Sequence, residues 1–438
     1  HTQHGYFQSI GNSHRTRFGS FGIDSRSFRT SLCGIGVLEI YQKILELMGK
    51  TVYIVISLVL AAFVGCSRGA QNIEKPGTDP SKQQGSDPQT SPVPELKFRT
   101  DGMHLVGVDY EQTATDFELK SRSAKMIYNL ISQMQEDGSL ALANLKTIAT
   151  EYNPENADEH ESQMFLQNLM NAVSENETKS DDSGIEPYPM EIQSLLDELL
   201  KLAISTTATN GIHEIVYTYR TVNGKGESTI ASATLYLPRK SLFTGNALPT
   251  LVMPHYGDFC RSITPSRSVQ KGFDYGIENI DDLKNVATLL IELMARSGYA
   301  FIYPDGLGIG ANYDAVPMVT KVSAYNVIDA VLAAQEIVTD KGDADWDKLN
   351  INLFSLSLGA YTALETAKVI QTEYSDILDV NTTACVDGPY DISGIMIDAM
   401  LHTDNIMFYV PSLIFSFDNV FSAYEPDFSY RNTLRNDT

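Results

Sequence analysis

Ser357 stands in the run Asn352-Leu-Phe-Ser-Leu-Ser-Leu-Gly-Ala360, between an apolar stretch of strand character and a helical one. A serine at a sharp strand-to-helix turn is suited to nucleophilic chemistry. The turn lifts the hydroxyl clear of the sheet, and the flanking positions must be small because the backbone crowds them. The pattern here is Ser355-x-Ser357-x-Gly359, with serine where the first glycine is usual. Attack on a carbonyl also needs amides facing the developing negative charge, each worth about 2.7–4 kcal/mol of barrier. The candidates are the backbone N–H of Leu358, next after the serine, and those of Gly257 or Asp258 in Met253-Pro-His255-Tyr-Gly257-Asp258. A base and an acid must complete the machinery. The eight histidines stand at 1, 4, 14, 104, 160, 213, 255 and 402, so only His402 follows Ser357. Asp387 (or Asp391) with His402 is the in-chain acid and base pair, but His402 follows closely and lies in a helical pattern. His255 is expected to shape the loop after its strand, and His104 and His160 to be surface residues.

These residues need a scaffold, and the periodicity supplies one. From Gly211 onward apolar residues alternate or run continuously in short segments. Strands are expected at Ile215–Thr221, Ala231–Leu237, Pro249–Met253, Tyr299–Tyr303, Ile351–Phe354 and Thr383–Val386. The first two read as a hairpin, with Asn223-Gly224 supplying positive φ at the turn. Helical spacing marks Asp281–Arg296, Val322–Val338 and Ala360–Gln371. Alternation of this kind builds a mostly parallel sheet flanked by helices. Residues 98–212 read as helical, with the pattern repeated at Lys125–Glu136, Leu140–Thr150, Glu161–Ser174 and Glu191–Ile204.

Two further segments receive plain readings. Pro304-Asp305-Gly-Leu-Gly308-Ile-Gly310 is a Gly-rich loop without the Lys-Ser/Thr of a phosphate-binding loop, and Asp305 is expected to cap it. Asp343, Asp345 and Asp347 imitate the start of a calcium loop. Lys348 and Phe354 stand where glycine and glutamate belong, so no metal site is expected.

Four segments occur in a telling order: the strand ending Tyr303-Pro-Asp-Gly-Leu-Gly308, the helix with Asn326-Val-Ile-Asp329-Ala, the turn Phe354–Tyr361, and Val386-Asp-Gly388-Pro389-Tyr390-Asp391. Together they resemble the secretory lipases and related exported esterases of the α/β-hydrolase superfamily, over about residues 213–395. The resemblance implies an α/β-hydrolase fold and carboxylic-ester hydrolysis through an acyl-enzyme on Ser357. It implies a small-molecule ester or lipid substrate and no cofactor. Family members continue with a lid, a strand bearing an aspartate and a strand bearing a histidine. Met396–Phe421 reads as the start of such a lid, and Tyr430–Thr438 shows no closing strand. The domain at 213–438 is therefore expected to be truncated in or after the lid region and incomplete at the C-terminus. The acid and histidine are expected to be missing, and turnover by this stretch alone is not expected. The alternative is a non-catalytic, lipid-anchored surface protein with a degenerate hydrolase fold.

The N-terminal residues point to export. Residues 1–47 contain no methionine and no sustained period, and read as upstream read-through. Met48-Gly-Lys50, the apolar run Thr51–Val64 and Gly65-Cys66 have the basic, apolar and small order of an export signal. Phe63-Val-Gly-Cys66 resembles a bacterial lipobox, which makes 48–66 a lipoprotein-type signal and Cys66 the lipidation site. Residues 67–97, rich in Pro, Ser, Gln, Asp and Gly, read as a disordered linker. The expected location is the cell envelope or extracellular surface, with membrane attachment through the lipid anchor only. A formal net charge of −23 argues against nucleic acid as a partner. Cys260 and Cys385 carry no spacing that pairs them, and nothing signals an oligomeric state.

Overall fold

The computed structural model describes residues 102–136, 143–177, 200, 203–204, 211–239, 249–255, 261, 264–271, 283–296, 298–314, 316–318, 320–341, 349–386, 388–396 and 409–421. Seven strands form one sheet: β1 (Leu105–Thr115), β2 (Gly211–Val222), β3 (Ser228–Pro238), β4 (Thr250–Val252), β5 (Ala300–Pro304), β6 (Leu349–Leu356) and β7 (Leu378–Val386). Their order is β1-β2-β3-β5-β4-β6-β7. The pairings are antiparallel from β1 to β5 and parallel from β5 to β7. All strands but β1 and β3 therefore run in one direction. Parallel neighbours need crossovers. Helices α5 (Leu283–Arg296), α6 (Lys321–Lys341) and α7 (Leu358–Glu373) lie between the parallel strands in sequence. The mostly parallel sheet flanked by helices is what the alternation of elements predicts, and it fits the α/β-hydrolase fold that the resemblance implies.

Strands β2, β4 and β5 are buried on both faces because both are covered. Ile215, Tyr217 and Tyr219 of β2 pack in one core with Val322, Ile328, Val331 and Ala334 of α6 and Ala363 and Ile370 of α7. The intervening Ile212 and Val216 pack in a second core on the other face, with Val269 of α4 (Pro265–Lys271) and Ile291 and Met294 of α5. Strand β5 divides likewise, Ala300 and Ile302 to the first core and Phe301 and Tyr303 to the second. Small residues Ala330, Ala333 and Ala334 let α6 approach the sheet closely, and Tyr217 donates its hydroxyl to the Ala330 carbonyl at 2.7 Å.

Three local expectations change. Residues 98–212 do not read as helix throughout. Leu105–Thr115 is strand β1, paired antiparallel with β2 across Val108↔Tyr217 and Thr115↔Gly211. Val106, Val108, Tyr110 and Thr113 are β-formers, and alternation gives the strand one half-buried face. The hairpin turn does not take its positive φ at Gly224 but at Gly226, where φ is 76°. The Asn223 side chain instead accepts from the amides of Lys225 and Glu227 at 2.9 and 3.0 Å, so it folds the turn as an Asx motif. His104, expected at the surface, is partly buried, with Nε2 3.4 Å from Asp329 and Nδ1 3.4 Å from Glu336 of α6. His160 is exposed as expected.

Helices α1 (Asp116–Glu136), α2 (Ala143–Glu151) and α3 (Glu159–Glu177) pack through Ile127, Ile131, Leu145, Phe165 and Leu169 in a core that also takes Leu293 of α5. Helix α1 opens with a capping box: Thr115 N–H donates to Glu118 at 2.7 Å and Glu118 N–H to Thr115 Oγ1 at 3.2 Å. Asp158 and Glu161 repeat it at α3. Helix α8 (Tyr409–Phe421) lies within the segment expected to begin a lid. Its Val420 joins the first core, and its Ser416 donates to the Met318 carbonyl at 3.3 Å.

Candidate active site

Strand β6 is buried between β4 and β7, and helix α7 begins two residues after the strand ends. The chain must reverse within Ser357, which takes φ 53° and ψ −131°. It is the one non-glycine residue at positive φ among the described residues. Such a conformation costs an L-residue about 1–3 kcal/mol and persists only when its surroundings impose it. The imposing contacts are visible. Ser357 N–H donates to the Val386 carbonyl of β7 at 2.9 Å, and the Ala360 amide of the first turn of α7 donates to the Ser357 carbonyl at 3.0 Å. Ser357 occupies the N-cap position of α7, yet its side chain makes no capping hydrogen bond. It is partly exposed at the end of the sheet, and the Leu358 amide follows it at the helix start, where unpaired N–H groups and the helix dipole favour negative charge.

The flanking residues explain the departure from two glycines. A Cβ on Gly359 would lie on Ser355 Oγ, 2.5 Å from the Pro254 carbonyl oxygen and 2.9 Å from that of His255. Glycine is obligatory there. Ser355, buried, fits because its hydroxyl turns to Pro254 and donates to the carbonyl at 2.7 Å.

The loop after β4 thus runs directly against the turn. His255 lies beside Tyr303 at 6.3 Å between ring centroids, and it lines a cavity of about 50 Å³ with Leu307, Met318, Val327, Leu358 and Thr362. Burial pushes the His255 pKa down to about 4, although a sliver of its surface stays exposed. A neutral imidazole so reluctant to charge is a poor proton acceptor.

The Gly-rich loop forms the opposite wall. Asp305 is wholly buried and accepts from Ser232 Oγ at 2.5 Å, Ser266 Oγ at 2.5 Å and the Ser266 amide at 2.9 Å. Burial raises its pKa to about 6, against the lowering effect of these bonds and of Arg267. Arg261 donates to the carbonyls of Gly308, Gly310 and Asn312 at 3.0, 2.6 and 2.5 Å, and its guanidinium lies 3.6 Å from the Tyr313 ring centroid. Gly308 at φ 87° has no room for a Cβ beside the Asp314 carbonyl. Asp305 is the structural group expected, but it ties the loop to β3 and α4 rather than only capping it. Neither Ser232, Ser266 nor Arg261 carries a pattern that marks it in the sequence.

Of the residues singled out for chemistry, Ser357 and Leu358 lie together at the turn. Gly257, Asp258, Asp387, His402, Cys66, Cys260 and Asp343–Asp347 lie outside the described residues. Asp391 accepts from the Gly394 amide at 2.9 Å and so caps the short π-turn Ile392–Met396. Cys385 is a free thiol, half-buried, and burial raises its pKa. The family-like residues of α6 are structural: Asn326 donates to Thr221 Oγ1 at 2.8 Å and to the Val222 carbonyl at 3.1 Å, and Asp329 faces His104.

No family model and no curated protein matches the chain. Among solved structures it is similar to the rice cell wall degrading esterase LipA from Xanthomonas oryzae, at 25% identity and a TM-score of 0.37, over 43% of this chain and 46% of that one. A Legionella pneumophila protein provisionally named a hydrolase is 20% identical with a TM-score of 0.41, over 58% of this chain and 59% of that one. Candida antarctica lipase A is 17% identical in its closed state with a TM-score of 0.37, over 51% of this chain and 47% of that one. The chain spans about half the length of these esterase and lipase structures.

Proposed function

We propose that the protein is an exported serine carboxylic-ester hydrolase, an esterase or lipase in which Ser357 forms the acyl-enzyme. The observation that carries the reading is the strained Ser357 backbone at φ 53°, sustained at the end of a buried parallel strand with the side chain released from capping. A serine held this way serves no helix cap and stabilises nothing that an ordinary turn would not; strain of this kind belongs to sites where geometry is functional. Ser357 Oγ would attack the ester carbonyl as a base takes its proton, the C–O bond to the alcohol would break, and water would release the acid. Leu358 N–H and an amide at Gly257 or Asp258 would face the oxyanion. Asp387 and His402 are the in-chain candidates for acid and base.

The test is covalent. A fluorophosphonate is expected to label Ser357, and Ser357→Ala is expected to abolish labelling. An oxyanion hole and binding alone retain about 10³–10⁴-fold rate over water when triad members are removed, so slow labelling does not require the complete triad. His402→Ala tests the base: slower fluorophosphonate labelling of an intact Ser357 supports it. An equal labelling rate in the variant removes His402 from the mechanism.

The second reading is a non-catalytic protein that keeps the scaffold. Absence of any Ser357 label would support it over the enzyme. Export rests on the order of residues 48–97, with Cys66 carrying the lipid. Cys66→Ser is expected to move the protein from the membrane fraction to the soluble fraction. An unchanged distribution would refute the anchor.

A further inference from the structure

Ser355 does more than occupy a small position. Strand β4 ends at Val252, and the Met253 amide still donates to Ile302 at 3.0 Å. Pro254 then removes a backbone donor, and its own carbonyl leaves the sheet ladder inside the protein, where an unpaired carbonyl is costly. A glycine at position 355 offers no donor to it. Ser355 offers one, at 2.7 Å, from a side chain that is buried and already crossing from β6. The same hydroxyl fills the space that Gly359 leaves, so positions 355, 359 and 254 interlock, and Ser357 sits between the first two.

We propose that Ser355 is a positioning residue: its hydroxyl fixes the Pro254 carbonyl, and with it the Pro254–His255 backbone that packs on Gly359 beside Ser357 and the Leu358 amide. The inference rests on the reading of Ser357 as nucleophile. The Ser355 hydroxyl extends the tie between β4 and β6 past the end of their parallel ladder, where a glycine would supply no side-chain donor.

The experiment compares wild type with Ser355→Ala, which keeps the Cβ and loses the donor, and with Ser355→Thr, which keeps the donor. Labelling by a fluorophosphonate is followed at several concentrations. In this reaction the Ser357 Oγ–P bond forms, the P–F bond breaks, fluoride leaves, and the serine proton passes to the base serving the site. The phosphonyl oxygen then takes the oxyanion position. Ser355→Ala is expected to lower the maximal labelling rate about tenfold with little change in the half-saturating concentration, and Ser355→Thr to restore most of it. Hydrogen exchange at the His255 amide is measured on the same proteins and is expected to quicken in Ser355→Ala; this readout remains if the threonine variant fails to fold. A purely structural hydroxyl would lower the melting temperature and leave both the maximal rate and the exchange at His255 unmoved, and that result overturns the proposal. If wild-type Ser357 takes no label, the nucleophile reading falls first and the positioning role falls with it. If it takes label and Ser355→Ala takes it equally fast, only the positioning role falls.

Discussion

Gly359 and Asp305 are the residues on which the described site depends most heavily. Gly359 has no space for a methyl group between Ser355, Pro254 and His255. Overpacking of a well-packed interior costs about 1–3 kcal/mol. Gly359→Ala is therefore expected to lower the melting temperature by several degrees and to slow any labelling of Ser357; an unchanged melting temperature would mean that the turn relaxes freely. Asp305 holds its proton more tightly in the folded state than a free aspartate, because burial raises its pKa to about 6. The folded state therefore binds the extra proton between roughly pH 4 and 6. Its contribution to stability is greatest below that window and declines as the pH rises through about 6. Urea denaturation between pH 4 and 6.5 should show this slope, and Asp305→Asn should flatten it. A slope unchanged in the variant would place the titration elsewhere.

At the scale of elements, β1 is the addition that the periodicity hid. Its alternation was legible in Val106, Val108 and Tyr110, but the helical spacing that follows from Lys125 dominated the window. Strand β7 shows the converse. Thr383–Val386 was readable, while Asp379 and Asn381 broke the apolar signal of the first half, and parallel pairing with Leu349–Phe354 overrides that weak local propensity. The N-terminal end of β1 is held by a charge cluster. His104 meets Asp329 and Glu336 of α6, its amide donates to Glu336 at 2.8 Å, and Arg220 of β2 bonds the Met103 and Leu105 carbonyls. Burial lowers the His104 pKa, but hydrogen bonding and attraction from Asp329 and Glu336 outweigh it and raise the value above the ordinary 6.5. The stabilisation is complete below pH 6.5 and is lost as pH rises through the raised value. Protection of the β1 amides, corrected for the intrinsic base catalysis of exchange, should accordingly fall as pH rises above 6.5, and His104→Gln should remove that fall; an equal fall in the variant would exclude His104.

At the scale of the molecule, the helical layer and the sheet are joined by buried charge. Arg122 of α1 reaches Glu214 of β2 at 2.9 Å and Glu292 of α5 at 2.8 Å, both carboxylates being wholly buried, and buried Arg296 meets Asp116 at 2.5 Å. Breaking such a pair costs about 3–5 kcal/mol, since it leaves charge in a poor solvent. Arg122→Met is expected to lose stability of that order in urea denaturation and to expose α1–α3 to protease. A cost below about 1 kcal/mol would mean that Leu293 and its apolar neighbours carry the joint. None of these pairs was legible, because their members lie about 90 to 180 positions apart in sequence. The fold itself was legible from Gly211 onward, because two-sided burial writes continuous apolar strands between amphipathic helices. At the site, the turn at Ser357 was readable from its strand, its helix and Gly359, whereas the clamp from Ser355 to Pro254 needed the two segments in space.

Whether Ser357 is a nucleophile is decided by mass-spectrometric mapping of a fluorophosphonate adduct on the intact chain. The expected result is a single modified peptide containing Ile351–Tyr361, with the adduct on Ser357 and none in Ser357→Ala. An adduct on another residue, or no adduct under conditions in which the chain is folded, would contradict it.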